Sequence, residues 1–366
     1  MPRFPRSIRR LLSGSPKLEA MQIEISSRCP LACVFCPVGA RNDPSAGGIM
    51  PLSLFKKLRP HFSGARHVHL QGWGEPMLSP HLWKMIAMAK AEGARTGFTT
   101  GGMLFTERAI DRLFESDADY ISISIAGAVQ TTHGTLRVHS DIERILDSVR
   151  TIAARKGRES RTRPKISLSY MMTSANIAEM PAALERAIEA GADDFYATNL
   201  DCVFDRAADR SRIFVWEGMP DPGHLAAIDR ARSITAGSHI SFRPYPLSAD
   251  ERPVCELDPS RFMFITSEGD VCPCTYLSRP ENRRIYNGRE YLYKRLSFGN
   301  IESEDLSAIW RGKKYSEFRK RFERRREADR KLRAYMEGGE PFAAIGALHP
   351  PVLHDVCKTC AKAYGV

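Results

Sequence analysis

Apolar and polar residues alternate in short runs along the chain from residue 21 to residue 200. This period of two predicts strands at residues 21–27, 67–73, 94–100, 120–126, 165–172 and 194–200. Between the runs, apolar residues recur every three or four positions and predict helices near residues 53–62, 79–92, 105–116, 139–155 and 178–190. Repeated strand–helix units of this kind are typical of a parallel sheet covered by helices.

Six such units are fewer than the eight that close a barrel, so we expect an α/β fold with an open, partial (β/α)6 TIM-like barrel. Ligands of such folds bind where the parallel strands end. The segments that follow the predicted strands lie at residues 28–36, 72–76, 101–102, 127 and 199. We expect them to surround one mouth that holds the chemistry.

The pattern changes after about residue 245, where the sequence becomes rich in turns and cysteines. It predicts a hairpin at residues 261–274 and helices at residues 306–310 and 315–322. We therefore expect a basic N-terminal extension, a barrel domain and a small C-terminal domain, at residues 1–19, 20–245 and 246–366.

No apolar run reaches the roughly 18 to 20 residues that cross a membrane, and the basic N-terminus lacks the apolar segment and cleavage site of a secretory signal. We expect a cytoplasmic protein with no membrane partner. The formal net charge of +11 favours an anionic partner, but charge alone does not identify one, and we expect no nucleic acid. Much of the charge lies at residues 313–333, where interleaved acids and bases indicate a solvated helix.

Nine cysteines in a reducing compartment indicate metal binding rather than disulfides. Three lie at residues 29–36, five lie after residue 254, and Cys202 stands alone between the two groups. This distribution predicts two metal sites, one for each group.

The first group, Cys29, Cys33 and Cys36, directly follows the first predicted strand. Three thiolates can therefore converge from one loop, as iron–sulfur clusters require. Zinc is the alternative, although a closed zinc site takes four ligands and no fourth cysteine or histidine lies close by in the sequence. Three protein ligands on a four-iron cluster leave one iron open to another molecule.

The spacing of these cysteines, with the aromatic Phe35 before the last one, resembles the motif of the radical S-adenosylmethionine (SAM) superfamily. The resemblance implies that the open iron binds the amino and carboxylate groups of SAM. It also implies that an electron, from a flavodoxin- or ferredoxin-type donor, cleaves SAM to a 5'-deoxyadenosyl radical that removes a substrate hydrogen.

A second match follows the second strand, where Gly72-Trp73-Gly74-Glu75-Pro76 resembles the superfamily's Gly-Gly-Glu-Pro segment. In the superfamily the backbone and the acid of this segment bind the methionine amino group of SAM. Without the resemblance, these residues could form only a tight turn.

Ser124 and Arg137 match a serine and an arginine that touch the ribose and carboxylate of SAM in related enzymes. One departure is that Ala126 stands before Gly127 where such relatives commonly have aspartate. Polar residues of the third and sixth strands face either the pocket or the helices: Thr99, Thr100, Tyr196, Thr198 and Asn199. We assign Thr100 and Thr198 to the cofactor site.

The C-terminal cysteines, together with residues 298–301, resemble the SPASM and Twitch auxiliary-cluster domains. Five cysteines can fully ligate only one four-iron cluster, which favours the Twitch type. The family hairpin ends in Gly-x-Val-x-Pro-Cys, and this implies the ligands Cys255, Cys274, Cys357 and Cys360. Cys272 in place of Cys274 stays open, because alternate residues of a hairpin arm share a face.

A spare thiol has a use in a radical epimerase, which must return hydrogen to the opposite face of its substrate. Cys272 and Cys202 are the candidate hydrogen donors, and the alternative for each is a small buried apolar side chain.

We expect an enzyme that dehydrogenates or epimerises a small polar metabolite of the sugar or aminocyclitol type. The cluster motif begins at residue 29, so we expect no leader-binding domain before it. The alternative is a ribosomal-peptide maturase that crosslinks or epimerises a precursor peptide. A third reading, from the pI of about 9.3, is an electron carrier or nucleic-acid-binding protein without radical chemistry.

Overall fold

The computed structural model describes residues 17–39, 47–338 and 350–366, so most of the expected N-terminal extension lies outside the described residues. The strands are β1 Ala20–Ile23, β2 Ala32–Cys33, β3 His67–Leu70, β4 Arg95–Thr100, β5 Tyr120–Ile125, β6 Arg137–Val138, β7 Lys165–Met172, β8 Asp194–Asn199, β9 Ser241–Pro244, β10 Phe262–Ile265, β11 Val271–Cys272, β12 Glu281–Tyr286 and β13 Arg289–Lys294. The α-helices are α1 Leu52–Phe62, α2 Leu82–Ala91, α3 Glu107–Glu115, α4 Gln130–Leu136, α5 Ile142–Arg158, α6 Met180–Glu189, α7 Arg206–Ser211, α8 Pro222–Thr235, α9 Leu306–Arg311 and α10 Lys313–Met336.

Nine strands form one sheet in the order β11-β10-β1-β3-β4-β5-β7-β8-β9. Every neighbouring pair is parallel except β10 and β11, which form the hairpin expected from the sequence. The six strands predicted from the alternating pattern are β1, β3, β4, β5, β7 and β8. They lie side by side, and a helix follows each of the first five. The predicted partial α/β barrel is therefore confirmed.

The sheet extends beyond these six strands at both edges. β9 adds to β8 in parallel, and β10 adds to β1 in parallel with Ala20 opposite Phe262 and Ile23 opposite Ile265. The C-terminal hairpin is thus joined by main-chain hydrogen bonds to the strand that leads into the first cysteine group.

The two faces of each central strand differ in polarity. In β5, Ile121, Ile123 and Ile125 are buried under the helices, whereas the alternate positions, such as Ser122 and Ser124, face the barrel interior. β7 repeats this alternation. The interior of the barrel is therefore lined by polar side chains and encloses a cavity.

The long helix α10 is only partly the solvated helix that its charges indicate. Arg319 and Arg325 are almost fully buried on it. The guanidinium of Arg319 lies 3.8 Å from the centre of the Trp310 ring, and Arg325 donates a hydrogen bond to the carbonyl oxygen of Pro253 at 2.8 Å. Among the described residues, no helix has the length and apolar character needed to span a membrane.

Candidate active site

The first cysteine group lies on the loop after β1. β2 pairs with β6, which places Cys33 opposite Arg137, and Cys29 and Cys36 line the barrel cavity beside them. Burial raises the pKa of Cys29 to about 12 and also raises the pKa of Cys36. The neighbouring Cys33 and Cys36 are among the smaller causes of the raised pKa of Cys29. A bound metal overcomes this cost because it deprotonates a coordinating thiol.

Within residues 17–39, 47–338 and 350–366, no three or more histidine, cysteine, aspartate or glutamate side chains are grouped closely enough to hold a single metal ion. The ligands of a four-iron cluster bind separate corners of a cube, so they stand further apart than ligands of one ion. An all-thiol set of this kind is the donor chemistry that iron–sulfur clusters take.

The segment from Gly72 to Pro76 packs directly against the cysteine loop. A Cβ on Gly74 would lie 2.4 Å from the Ser26 carbonyl oxygen, and a Cβ on Gly72 would lie 2.2 Å from Cγ of Glu24. Only glycine allows this approach. The main-chain N–H of Glu75 donates to the Arg28 carbonyl oxygen at 2.7 Å and fixes the two loops together.

The carboxylate of Glu75 is buried at the cavity. It accepts hydrogen bonds from the main-chain N–H of Gly101 at 2.7 Å, the hydroxyl of Thr100 at 2.9 Å and the main-chain N–H of Met77 at 3.0 Å. Burial raises the pKa of Glu75, although these hydrogen bonds and the charge of Arg137 oppose the shift. Arg137 lines the same cavity, and its buried Nε has no hydrogen-bond partner among the described residues. An acidic group of a ligand would satisfy that donor.

Trp73 extends from the same segment toward the C-terminal region. Its indole N–H lies 3.2 Å from the Thr275 carbonyl oxygen and 3.1 Å from the Ser278 hydroxyl, and its ring meets Tyr276 edge-on. Pro76 begins a short 3-10 helix, Pro76–Leu78.

Most of the other residues predicted around the mouth do line the cavity: Thr99, Thr100, Ser124, Tyr196 and Thr198. Gly127 and Asn199 are not among the lining residues. Gly127 packs against the main chain of His133, and Asn199 is buried and donates to the Pro246 carbonyl oxygen at 2.8 Å. At Ala126, the position where the family resemblance implies aspartate, the carbonyl oxygen accepts from the side chain of Asn176 at 3.0 Å.

Four of the five C-terminal cysteines line a second, small cavity: Cys255, Cys274, Cys357 and Cys360. Burial raises the pKa of Cys255, Cys274 and Cys357, and ionised neighbours within this set raise them further. Cys272 does not line this cavity. It pairs with Phe264 across the β10–β11 hairpin and is fully buried among apolar side chains.

Arg284 is a buried cation beside these four thiols, and the sequence reasoning did not identify it. Burial lowers its pKa, but the neighbouring cysteines Cys360, Cys274 and Cys357 outweigh burial and raise it overall. Its guanidinium donates to the Val356 carbonyl oxygen at 2.6 Å. A cation here offsets the negative charge that ligating thiolates bring.

The sequence reasoning also missed a polar network on the cavity wall. Lys362 lies 2.8 Å from Asp201 and 2.9 Å from Glu256, and the Tyr276 hydroxyl donates to Asp201 at 2.8 Å. The Tyr245 hydroxyl donates to Glu256. Burial lowers the pKa of Lys362, but the two carboxylates outweigh it and hold the pKa well above its usual value. We call these five residues the acidic wall.

One cavity of about 680 Å³ joins the first cysteine group to the acidic wall. Its lining includes the first cysteine group, the Gly72–Glu75 segment and the acidic wall. Cys202 lines it as well, and Cys36 lies near enough to influence its ionisation; burial is the main reason that the pKa of Cys202 is raised. Cys272, the other candidate hydrogen donor, lies outside this cavity.

A family model described as the radical SAM superfamily matches residues 23–187. Residues 23–187 therefore form a radical SAM domain. A second model, described as an iron–sulfur cluster-binding domain and named SPASM, matches residues 255–332. The resemblance seen in the cysteine motifs is thereby confirmed for residues 23–187 and 255–332.

Curated relatives cover most of the chain. One relative is the tungsten-containing aldehyde ferredoxin oxidoreductase cofactor-modifying protein of Pyrococcus furiosus. The two chains are 25% identical over 307 aligned residues, and the alignment covers 82% of this chain and 83% of the relative. This chain is also 24% identical over 324 residues to the PqqA peptide cyclase of Xanthomonas campestris, with 84% and 77% covered.

Solved structures show the same fold. SuiB of Streptococcus suis, bound to its precursor peptide SuiA, aligns with a TM-score of 0.58 and 17% identity over 83% of this chain and 67% of that one. The structure of anSMEcpe with bound AdoMet aligns with a TM-score of 0.56 and 17% identity over 82% of this chain and 83% of that one.

The two matched domains imply SAM and two iron–sulfur clusters as cofactors. The residues present fit these groups. One cavity wall carries three neighbouring thiols, a separate cavity is lined by four, and the unpartnered Nε of Arg137 is suited to an acidic group of SAM.

Proposed function

We propose that this radical SAM enzyme modifies a peptide substrate at a carbon atom, by crosslinking, epimerisation or dehydrogenation. The observation that carries this proposal is the single cavity that joins the first cysteine group to the acidic wall beside the second. A substrate in that cavity would contact both regions at once.

The residues of the chain have separate tasks in this proposal. Cys29, Cys33 and Cys36 would hold the first cluster, with Glu75 accepting from the amino group of SAM and Arg137 donating to its carboxylate. When bound, the cluster and SAM would supply the radical chemistry that removes a hydrogen atom from a substrate carbon. Thr100 fixes the carboxylate of Glu75 from the side, and Ser124 and Thr198 offer hydroxyls to the rest of the cofactor.

The second cluster would be held by the four cysteines of the small cavity. Arg284 would balance its charge and tie Val356 to the segment after Cys274. Because Cys272 points into apolar surroundings instead, it takes no part in this proposal.

A peptide substrate is supported by relatives. The PqqA peptide cyclases align over about four fifths of this chain, and a solved protein of the same fold is described with a bound precursor peptide. The sequence-based preference for a small metabolite is supported less well, although one of the relatives is named as a cofactor-modifying protein.

A small polar metabolite is the second candidate function, because many hydroxyl and charged side chains line the barrel interior. In that case Cys202, which lines the cavity, is the thiol placed to return hydrogen in an epimerisation.

Reductive cleavage of SAM tests the first step. The anaerobically reconstituted and reduced protein should release 5'-deoxyadenosine, supplied with electrons by dithionite or by a flavodoxin- or ferredoxin-type donor. The triple variant Cys29→Ala, Cys33→Ala, Cys36→Ala should release none. Release by that variant would disprove the assignment of the first cluster.

The substrate class is tested by mass spectrometry. A short peptide encoded beside this gene, incubated with enzyme and SAM in deuterated water, should lose a pair of hydrogens or gain solvent deuterium. Unchanged peptide, together with turnover of an amino sugar, would favour the metabolite function instead.

A further inference from the structure

Three of the C-terminal cysteines are each followed within two residues by a side chain of the acidic wall. Glu256 follows Cys255, Tyr276 follows Cys274, and Lys362 follows Cys360. The same short segments that bring the thiols to the small cavity therefore bring these polar groups to the large one. The wall is the face that the second cysteine group presents to the substrate cavity.

The N–H and O–H groups of the acidic wall already donate to partners within the wall. The Lys362 ammonium is 2.8 Å from Asp201 and 2.9 Å from Glu256, and it lies 4.0 Å above the Tyr245 ring. The hydroxyls of Tyr276 and Tyr245 donate to the same two carboxylates. None of these donors has a free hydrogen for a ligand.

The acidic wall can still accept hydrogen bonds from a ligand. Both contacts of Asp201 go to its Oδ2, and among the described residues nothing donates to its Oδ1. The hydroxyl oxygens of the two tyrosines keep acceptor lone pairs. The wall also contains two acids and a single base, and the side chain of Glu256 is 42% exposed.

We propose that the acidic wall is a substrate subsite that binds a protonated primary amine, with Asp201 as its main acceptor. A carboxylate or phosphate would face acceptors and surplus negative charge, whereas an ammonium supplies three donors and one positive charge. This subsite rests on the proposed function, because it takes the cavity as the substrate cavity. The amine can come from a lysine side chain of a peptide or from an amino sugar.

Two matched probe pairs test the subsite on the reconstituted enzyme with SAM bound. N-acetyl-lysine methylamide is compared with N-acetyl-norleucine methylamide, and glucosamine with glucose, by ligand-observed NMR titration. In at least one pair the amine should bind about tenfold or more tightly than its neutral partner, as expected for a charge-assisted hydrogen bond. The pair that shows the preference identifies the source of the amine.

Substitutions in the wall show which side chains cause the preference for the amine over its neutral partner. Asp201→Asn should remove most of it, and Glu256→Gln, at a more exposed position, should weaken it. Asp194→Asn is the matched control, because this second cavity aspartate already accepts from Arg243 at 2.8 and 2.7 Å and should leave the preference intact.

Equal binding of amine and neutral partner in both pairs would overturn the subsite, as would a preference that survives Asp201→Asn. The pairs are compared first on the unaltered enzyme, so a variant that fails to fold does not decide the test. Formation of 5'-deoxyadenosine is measured in parallel. Its presence without amine preference overturns only this inference, and its absence overturns the proposed function.

Discussion

At the scale of single residues, the buried cation Arg284 sets the charge around the second cysteine group. Arg284 is a buried cation close to Cys274, Cys357 and Cys360, and it donates to the carbonyl oxygens of Val356 and Tyr276 at 2.6 and 3.1 Å. It therefore has both an electrostatic and a tethering role. The charge near an iron–sulfur cluster is one of the factors that set its reduction potential.

Replacing Arg284 by Gln should make the potential of the second cluster more negative, because reduction adds an electron that the cation no longer stabilises. Each 1.4 kcal/mol of lost stabilisation corresponds to roughly 59 mV for a one-electron couple. Arg284→Lys, which keeps the charge, should shift the potential less. The measurement is a potentiometric titration followed by electron paramagnetic resonance, and equal potentials in the two variants would remove the electrostatic role.

The two cysteines of the hairpin should differ in their effect on iron content. Cys274→Ala removes a thiol of the small cavity and should lower the iron from about eight to about four per chain. Cys272→Ala should keep about eight, because this thiol does not line the small cavity and instead pairs with Phe264 across the hairpin. Iron analysis after reconstitution decides this, and equal losses would place both thiols at the cluster.

At the scale of elements, the glycine segment after β3 is constrained by the loop it contacts. Gly74 has the carbonyl oxygens of Ser26 and Arg28 at 2.4 and 2.5 Å from its missing Cβ. No side chain can be added without moving the cysteine loop. The pattern of glycines around Trp73 thus reflects close packing of two loops.

Gly74→Ala should abolish SAM cleavage and cost about 1–3 kcal/mol of the free energy of unfolding, because the added methyl group separates these loops. Gly157→Ala is the matched control on α5, where nothing lies within 4 Å of the added atom. It should be neutral or stabilise by up to about 1 kcal/mol. Thermal unfolding and 5'-deoxyadenosine release measure both effects, and an active, stable Gly74→Ala protein would contradict the packing argument.

At the scale of the whole molecule, several contacts link the barrel to the C-terminal region, and two of them start from β1 and from the Gly72–Pro76 segment. β10 pairs with β1 in the sheet, and Trp73 bonds to the segment after Cys274. The second link connects the Gly72–Pro76 segment with the second cysteine group. These hydrogen bonds hold the two sides of the cavity at a fixed distance from each other.

Trp73→Phe keeps an aromatic ring against Tyr276 but removes the indole N–H. We expect full iron content and a lower ratio of product to 5'-deoxyadenosine, because the two sides of the cavity are less firmly held. The lost hydrogen bonds should cost about 0.5–1.5 kcal/mol each. Trp83→Phe, at an indole packed edge-on against Phe98, is the control and should leave the ratio unchanged. An unaltered ratio in Trp73→Phe would show that this link does not couple the sites.

Local sequence determined the elements of the barrel and the first cysteine group. Side chains alternate along a strand and recur every three to four residues on a helix. Six strands of the sheet and five helices could therefore be predicted without knowledge of the fold: β1, β3, β4, β5, β7 and β8, and α1, α2, α3, α5 and α6. Cys29, Cys33 and Cys36 are near each other because a single loop carries them. No local sequence pattern distinguished a peptide substrate from a small metabolite as clearly, and the relatives favour the peptide.

Only the tertiary structure decided which distant residues meet. The register of β10 with β11 turns Cys272 toward Phe264, whereas Cys274 beyond the strand end reaches the cavity of Cys255 and Cys357. The acidic wall likewise joins residues from position 201 to position 362. Periodicity reports which way a side chain faces within its own element, but contacts between elements far apart in sequence depend on how those elements pack.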